Sequence, residues 1–111
     1  MAKLEITLRT NFDTALQTIC NGVLNASLSA ELVDSSDYRY PNVRCAVRVF
    51  ERYSFIGKNR VSMNVTLLQV GDDLRLSAIT SGGSQAIFVK INTLGEDAFL
   101  DTLREIVYQL R

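Results

Sequence analysis

The chain has 111 residues, in which 12 Lys and Arg balance 12 Asp and Glu, and it contains no His. One domain is expected at this length, and we predict a single domain over residues 1–111. A formal net charge of zero gives no general attraction to nucleic acid or to an anionic membrane surface, and no apolar run approaches the ~18 residues of a membrane span. We therefore expect neither nucleic acid nor a membrane among its partners.

The missing His removes several kinds of active site. A Ser-His-Asp or Cys-His nucleophile pair and His-ligated zinc cannot be built from these residues. The two thiols, Cys20 and Cys45, match no redox or zinc spacing and lie in apolar patterns, so we predict two reduced core residues. The charged start of the chain is unlike a secretory signal. We expect a cytoplasmic protein with no catalytic residues, no metal site and no cofactor; an enzyme built on this sequence would use carboxylates, Tyr or Lys as acid and base.

The chain begins with a strand pattern followed by a helix pattern. Apolar and polar residues alternate over 3–9, which predicts a half-buried strand. Helical spacing of apolar residues predicts a helix over 11–22, opened by a capping box at Thr10 and Asp13 and closed by Asn21-Gly22, or else extended by one turn to Leu24. This β-α start indicates a mixed fold.

The middle of the chain returns to a strand period. We predict a second strand over 27–33, a polar ending over 34–37, and a connection over 38–42, because Pro41 cannot donate to a strand ladder. A long third strand follows. Its predicted inward face carries Val43, Cys45, Val47 and Val49. Its predicted outward face carries Arg44, Ala46, Arg48, Phe50 and Arg52.

Two further strands flank the clearest turn in the sequence. After a turn at 57–59, residues 60–70 place these side chains inward: Val61, Met63, Val65 and Leu67. Gly71-Asp72 predicts a two-residue hairpin turn that pairs Val70 with Asp73. The strand after this turn directs inward Leu74, Leu76 and Ala78, and directs outward Arg75, Ser77 and Ile79.

The end of the chain is helical. Residues 86–91 either add a strand or extend a loop, and a second capping box at Thr93 and Glu96 opens an amphipathic helix. The sequence therefore predicts an α+β fold, a two-layer sandwich in which two helices cover one face of an antiparallel sheet of five or six strands. The predicted order is β-α-β-β-β-β-(β)-α.

Several segments resemble a known group of proteins. They are CAVRVFERYSF with GKNRVSMNVTLL, then LSAITSGGSQA, and then INTLGEDAFLDTLREIV. These segments are similar to a family of short bacterial proteins that carries only a domain-of-unknown-function label. The similarity runs over nearly the whole chain, and SAITSGGSQ is its most distinctive part. The resemblance implies a small bacterial cytoplasmic protein, and it implies no activity, cofactor or catalytic residue.

The outward sheet face is the first candidate site. With helices on one side only, this face would show Arg48, Phe50, Leu68, Arg75 and Ile79. One interpretation is a solvated face with cross-strand ion pairs. The other is a homodimer or a contact with a protein partner, because three large apolar side chains exceed what an open sheet requires.

A pocket is the second candidate site. Strict alternation turns Glu51 and Tyr53 toward the helices, where an unpaired carboxylate is costly. Either a bulge or the strand end frees Glu51, or both side chains line a pocket with Met63 and Thr80 that holds a small apolar ligand.

The third candidate is Ser81-Gly82-Gly83-Ser84, whose backbone amides could form an anion nest, although a plain loop between strands also explains it. From these features we predict a non-catalytic interaction or self-association module that uses its exposed sheet face. The alternative is a small-ligand binder with a helix-grip-like pocket between sheet and helices, which rests on analogy of fold.

Overall fold

The computed structural model describes residues 1–54, 59–82 and 89–111, with the side chains of the last range described from Gly95 onward. Within these ranges, five strands and two helices follow one another in the order β-α-β-β-β-β-α, which confirms the predicted α+β fold. The elements are β1 (Ala2–Leu8), α1 (Phe12–Asn25), β2 (Glu31–Tyr40), β3 (Val43–Ser54), β4 (Asn59–Val70), β5 (Asp73–Gly82) and α2 (Val89–Val107), which continues into a short 3-10 turn (Tyr108–Leu110).

The five strands form one antiparallel sheet in the order β1-β5-β4-β3-β2. Consecutive strands from β2 to β5 are neighbours, and β1 completes the sheet beside β5. Val70 pairs with Asp73 across the turn, as predicted, and Gly71 has φ 58°, a left-handed conformation that glycine adopts without strain. The two edges of the sheet are therefore β1 and β2.

Both helices cover the same face of the sheet, where the core lies. α1 buries Phe12, Ala15, Ile19 and Val23, and α2 buries Phe99, Leu100, Leu103 and Val107. The central strands β4 and β5 contribute the predicted inward residues, which are at most 1% exposed: Val61, Met63, Val65, Leu67, Leu74, Leu76 and Ala78. Each large apolar side chain buried here contributes roughly 1.5–3 kcal/mol.

Helix α1 differs from its prediction in its N-cap and ends close to the longer of the two predicted ends. Its N-cap is Asn11, whose Oδ1 accepts a hydrogen bond from the Thr14 amide at 2.7 Å, and not Thr10. The helix passes Gly22 and ends at Asn25, one residue beyond the alternative predicted end at Leu24. A Cβ at position 22 would lie 2.8 Å from the side chain of Ile106, so this glycine permits the close approach of α2.

Strand β2 lies further along the chain than predicted. The polar stretch 34–37 is its centre, and Leu28, expected in a strand, is fully exposed in the preceding connection. All ten residues of β2 are exposed. As an edge strand, β2 is held by backbone pairing with β3 and requires no buried face. The alternation of apolar residues therefore predicts its position along the chain incorrectly. A register shift between Leu32 and Asp34 interrupts the pairing.

The two faces of β3 are the reverse of the prediction. Phe50 pairs with Met63 and Ala46 with Leu67, so Phe50 and Ala46 lie on the helix side and are at most 1% exposed. Because successive residues of a strand point to opposite faces, Val47 and Val49 lie on the side without helices. One residue of register decides the face of every side chain in the strand.

Residues 55–58 and 83–88 lie outside the described ranges, so the predicted turn at 57–59 is largely untested. The possible strand over 86–91 is tested only at its end, where α2 already begins at Val89. The predicted start of this helix at Thr93 is four residues too late.

Candidate functional site

The face of the sheet opposite the helices carries a cluster of apolar side chains along β3 and its two neighbours. We name this cluster the apolar strip. Its members are Val43, Cys45, Val47 and Val49 of β3, Tyr38 and Tyr40 of β2, and Leu68 and Val70 of β4. Tyr38 is 58% and Tyr40 67% exposed, and Val70 is 50% exposed. β3 thus presents four apolar side chains in succession on the face that the helices leave open, where an antiparallel sheet is usually polar.

The apolar strip is nearly symmetric about β3. At its hairpin end, Val43 lies between Tyr40 and Val70 in the ladder, and Cys45 lies between Tyr38 and Leu68. Apolar side chains therefore flank β3 on both sides at this end.

Further along the strand, both flanks of β3 become polar. Val47 lies between Ser36 and Thr66, and Val49 lies between Asp34 and Asn64. At all four levels of β3, the neighbouring residues of β2 and β4 thus have the same character. They are apolar beside Val43 and Cys45 and polar beside Val47 and Val49.

The structure places three of the five predicted face residues on this open face. Leu68, Arg75 and Ile79 lie there, with Ile79 41% exposed. Arg48 and Phe50 do not, because β3 presents the opposite face. Phe50 is 0% exposed in the core.

The arginines of β3 lie beside the helices. Arg44 forms an ion pair with Asp13 at 2.8 Å and its guanidinium carbon lies 4.2 Å from the centre of the Phe12 ring. Arg48 forms an ion pair with Asp37 at 3.0 Å. A long arginine stem packs along apolar surface while its charged end finds an acid or an aromatic ring. This is why three arginines are tolerated on the covered face.

The pocket predicted around Glu51, Tyr53 and Thr80 is not formed. Glu51 and Tyr53 lie on the open face, and Thr80 is 0% exposed on the other. Glu51 accepts from Nε of Arg60 at 3.1 Å, and Arg60 also reaches Glu31 at 3.0 Å. Neither a bulge nor the strand end frees Glu51; the reversed faces of β3 do.

A different concavity, of about 280 Å³, lies between the end of β3, the α1–β2 connection and α2. Its lining includes Arg52, Tyr53, Ser27, Ser29 and Gly95. Burial lowers the pKa of the Arg52 guanidinium. We name this concavity the Arg52 pocket. It was missed because the sequence placed Arg52 on the outward face.

The model of a family of unknown function, DUF6054, matches residues 1–111. The chain belongs to this family. The predicted resemblance to a family with a domain-of-unknown-function label is thereby confirmed. No curated protein and no solved structure matches the chain.

The predicted anion nest of this DUF6054 protein is described only in its first half. Ser81 and Gly82 end β5, whereas Gly83 and Ser84 lie outside the described ranges. The Gly82 amide donates to the Glu96 carboxylate at 2.9 Å, and the Ser81 hydroxyl lies 2.9 Å from that of Ser62. A buried side chain of the chain itself, only 5% exposed, thus occupies the Gly82 amide.

The thiols of the DUF6054 protein lie on opposite sides of the sheet. Cys20 is half-buried on α1, where burial raises the pKa of its thiol and Arg48 partly offsets this effect. Cys45 was predicted as a core residue, but it is half-buried in the apolar strip. Both thiols are free.

The described ranges of the DUF6054 protein contain neither a metal-ligand cluster nor a membrane-spanning helix. No group of three or more Cys, Asp or Glu residues there is placed to hold a metal ion. In the same ranges, no helix combines the length and the apolar character needed to cross a membrane.

Proposed function

We propose that this protein is a non-catalytic association module that binds a second copy of itself through the apolar strip. The observation that carries the proposal is that β3 presents Val43, Cys45, Val47 and Val49 on the face without helices, with exposed apolar side chains of β2 and β4 beside the first two. An ordinary open face of an antiparallel sheet is polar. A contiguous exposed apolar patch on a folded protein marks an interaction surface.

A second copy fits the apolar strip because the strip is nearly symmetric about β3. Consider a twofold axis that runs along β3, midway between two sheets packed face to face. This axis places β2 of each copy over β4 of the other, with each residue at its own level. Tyr38 then meets Leu68 of the second copy, and Tyr40 meets Val70.

The polar levels of the strip match in the same arrangement. Ser36 meets Thr66, and the Asp34 carboxylate meets the Asn64 side-chain amide, which is a hydrogen-bond donor. Stacked sheets lie about 10 Å apart and within about 30° of a common strand direction, which this arrangement satisfies. The contact is isologous and closes on itself as a dimer.

We place the dimer in a reducing, bacterial cytoplasm. The two free thiols on opposite sides of the sheet support this location, because free thiols persist where glutathione and thioredoxin keep them reduced.

The test is the solution mass by light scattering of the wild type and of a Leu68→Lys variant. Leu68→Lys places a charge inside the apolar strip, and we expect it to convert a dimer to a monomer. The matched control is Leu24→Lys on α1, because Leu24 is 36% exposed and Leu68 is 38% exposed. The control should remain dimeric.

Two results would overturn the proposal. One is a monomeric wild type at concentrations up to about 1 mM, a limit that corresponds to ~4 kcal/mol of association free energy. The other is a dimer that Leu68→Lys and Leu24→Lys weaken equally, since the contact would then lie outside the apolar strip. Circular dichroism confirms that both variants are folded.

A further inference from the structure

Arg52 is a half-buried arginine without an acidic partner. Five other arginines form ion pairs with Asp or Glu: Arg44, Arg48, Arg60, Arg75 and Arg104. Every Asp and Glu of the sequence lies within the described ranges, and none of them forms an ion pair with Arg52. A partly desolvated charge without a counter-charge is costly. The pocket therefore holds a positive charge that an anionic ligand could neutralise, because no acidic side chain of the protein does so.

The guanidinium of Arg52 contacts two side chains of α2. Its carbon lies 4.4 Å from the centre of the Phe99 ring, and its Nη1 donates to the Thr102 hydroxyl at 3.2 Å. Thr102 in turn donates to the Ala98 carbonyl at 3.2 Å. A guanidinium has five N–H donors, and within the described ranges one is used by this bond. No other hydrogen bond joins the Arg52 guanidinium to the described residues, so its remaining donors can serve a ligand, and the contact with Phe99 holds the group beside the pocket.

Ser27 and Ser29 add a hydroxyl donor to the same pocket. The Ser29 hydroxyl accepts from the Tyr53 amide at 3.0 Å, and the Ser27 hydroxyl accepts from the Ser29 amide at 3.2 Å. The two hydroxyl oxygens are 3.1 Å apart, so one hydroxyl donates to the other. Two hydroxyls carry two protons, and one proton therefore remains for an acceptor in the pocket.

We propose that the Arg52 pocket binds a small oxyanion, a phosphate or carboxylate group carried by a low-molecular-weight ligand. Arg52 supplies the charge and the planar fork that recognises such groups. The serine pair supplies a neutral donor, and Gly95 and Ala98 of α2 leave room beside them. The volume of about 280 Å³ exceeds a bare oxyanion, so the ligand has a small body as well as the anionic group.

This inference is independent of the dimer. The Arg52 pocket lies on the helix side of the sheet, and the apolar strip lies on the other side. Leu68→Lys should therefore leave oxyanion binding unchanged, and loss of oxyanion binding should leave the dimer intact.

The test is a titration of isotope-labelled full-length protein with inorganic phosphate and, separately, with acetate, followed by NMR of the Arg52 side chain and the Ser29 amide. Sodium chloride at matched ionic strength is the reference. We expect saturable chemical-shift changes at both groups with phosphate or with acetate. The anion with the higher affinity identifies the anionic group of the ligand. The absence of such shifts with both probes would overturn the proposal.

Variants distinguish specific binding of the anion in the Arg52 pocket from its general electrostatic attraction to positive charge on the protein. Arg52→Gln should weaken binding at least tenfold. Arg39→Gln is the matched control, because Arg39 is exposed and forms no ion pair in the described ranges, and its removal changes the net charge equally. Equal weakening by both variants would overturn the proposal.

A second variant guards against a folding defect in Arg52→Gln. Arg52→Lys keeps the charge and the stem but loses the planar fork, and it should weaken binding several-fold while the protein stays folded. Unchanged binding in a folded Arg52→Lys variant together with unchanged binding in Ser29→Ala would also overturn the proposal.

Discussion

A Cβ at position 95 would lie 2.7 Å from the Ser54 Oγ and 3.3 Å from the Ser54 Cβ. Helix α2 therefore lies so close to the end of β3 that only glycine fits at this position without a shift. Gly95→Ala should therefore lower the free energy of unfolding by about 1–3 kcal/mol, the usual cost of overpacking. In a helix interior free of such contact, the same change stabilises by about 1 kcal/mol. Urea unfolding of the wild type and of Gly95→Ala shows whether the substitution lowers or raises the free energy of unfolding.

A double-mutant cycle assigns this effect to the contact. Ser54→Ala removes the nearer atom, so Gly95→Ala should cost less in the Ser54→Ala background than in the wild type. Asp97→Ala on the exposed side of α2 is the control and should change stability by at most about 0.5 kcal/mol. A stabilised Gly95→Ala protein would show that the two elements are further apart than described.

The reversed faces of β3 make a direct prediction about stability. Phe50 is 0% exposed, so Phe50→Ala should cost about 3–5 kcal/mol of unfolding free energy, as large-to-small changes in a core do. Val47→Thr, on the other face of the same strand, should cost far less in the monomer. Denaturant titration of both variants at low protein concentration checks the comparison. A small loss of unfolding free energy in Phe50→Ala together with a large loss in Val47→Thr would show that β3 has the opposite orientation.

Acid stability should depend on Asp13. The Arg44 guanidinium beside it holds the pKa of Asp13 below its ordinary value of 3.8. Since the folded pKa is the lower one, this ion pair stabilises the folded state above the unfolded pKa, and its contribution disappears as the pH falls through the folded pKa. The difference in unfolding free energy between wild type and Asp13→Asn should therefore be constant near neutral pH and shrink in acid.

Urea unfolding between about pH 7 and pH 2 measures this difference. The exposed acid Asp97, changed to Asn, controls for removal of one negative charge. A gap between wild type and Asp13→Asn that persists undiminished at the lowest pH would contradict the assignment to the carboxylate.

The Cys45 thiol offers a probe of the proposed dimer. Cys45 lies within the apolar strip, so association should cover it. In a Cys20→Ala background, its rate of reaction with a soluble disulfide reagent should fall as the protein concentration rises. Addition of Leu68→Lys should remove this concentration dependence. A dimer by light scattering whose Cys45 reacts at a constant rate would place the interface elsewhere.

The central strands could be predicted from the sequence, and the reasons are local. β4 and β5 alternate strictly, and the Gly71-Asp72 turn pairs Val70 with Asp73 and so fixes the register along both strands. Their inward residues were named correctly for this reason. Their outward residues Leu68, Arg75 and Ile79 were correct as well.

The orientation of β3 could not be predicted from hydropathy. Hydropathy allows either face to be buried: one is apolar from Val43 to Val49, and the other combines Phe50 with arginines. The arginines of the covered face pair with acids distant in sequence, Asp13 for Arg44 and Asp37 for Arg48, which offsets the cost of covering their charges. The Arg52 pocket escaped prediction for the same reason, since it depends on residues from three elements.

The irregularity at Val33 limits how this protein can associate. Both edges of an open sheet present unpaired backbone groups, and a long regular edge recruits further strands without end, which leads to filaments. In β2 the pairing register shifts between Leu32 and Asp34, and acidic side chains follow at Asp34 and Asp37. A kinked, charged edge discourages strand addition. Edge-to-edge growth from β2 is thereby disfavoured, and the proposed contact through the sheet face, being isologous, would stop at two copies.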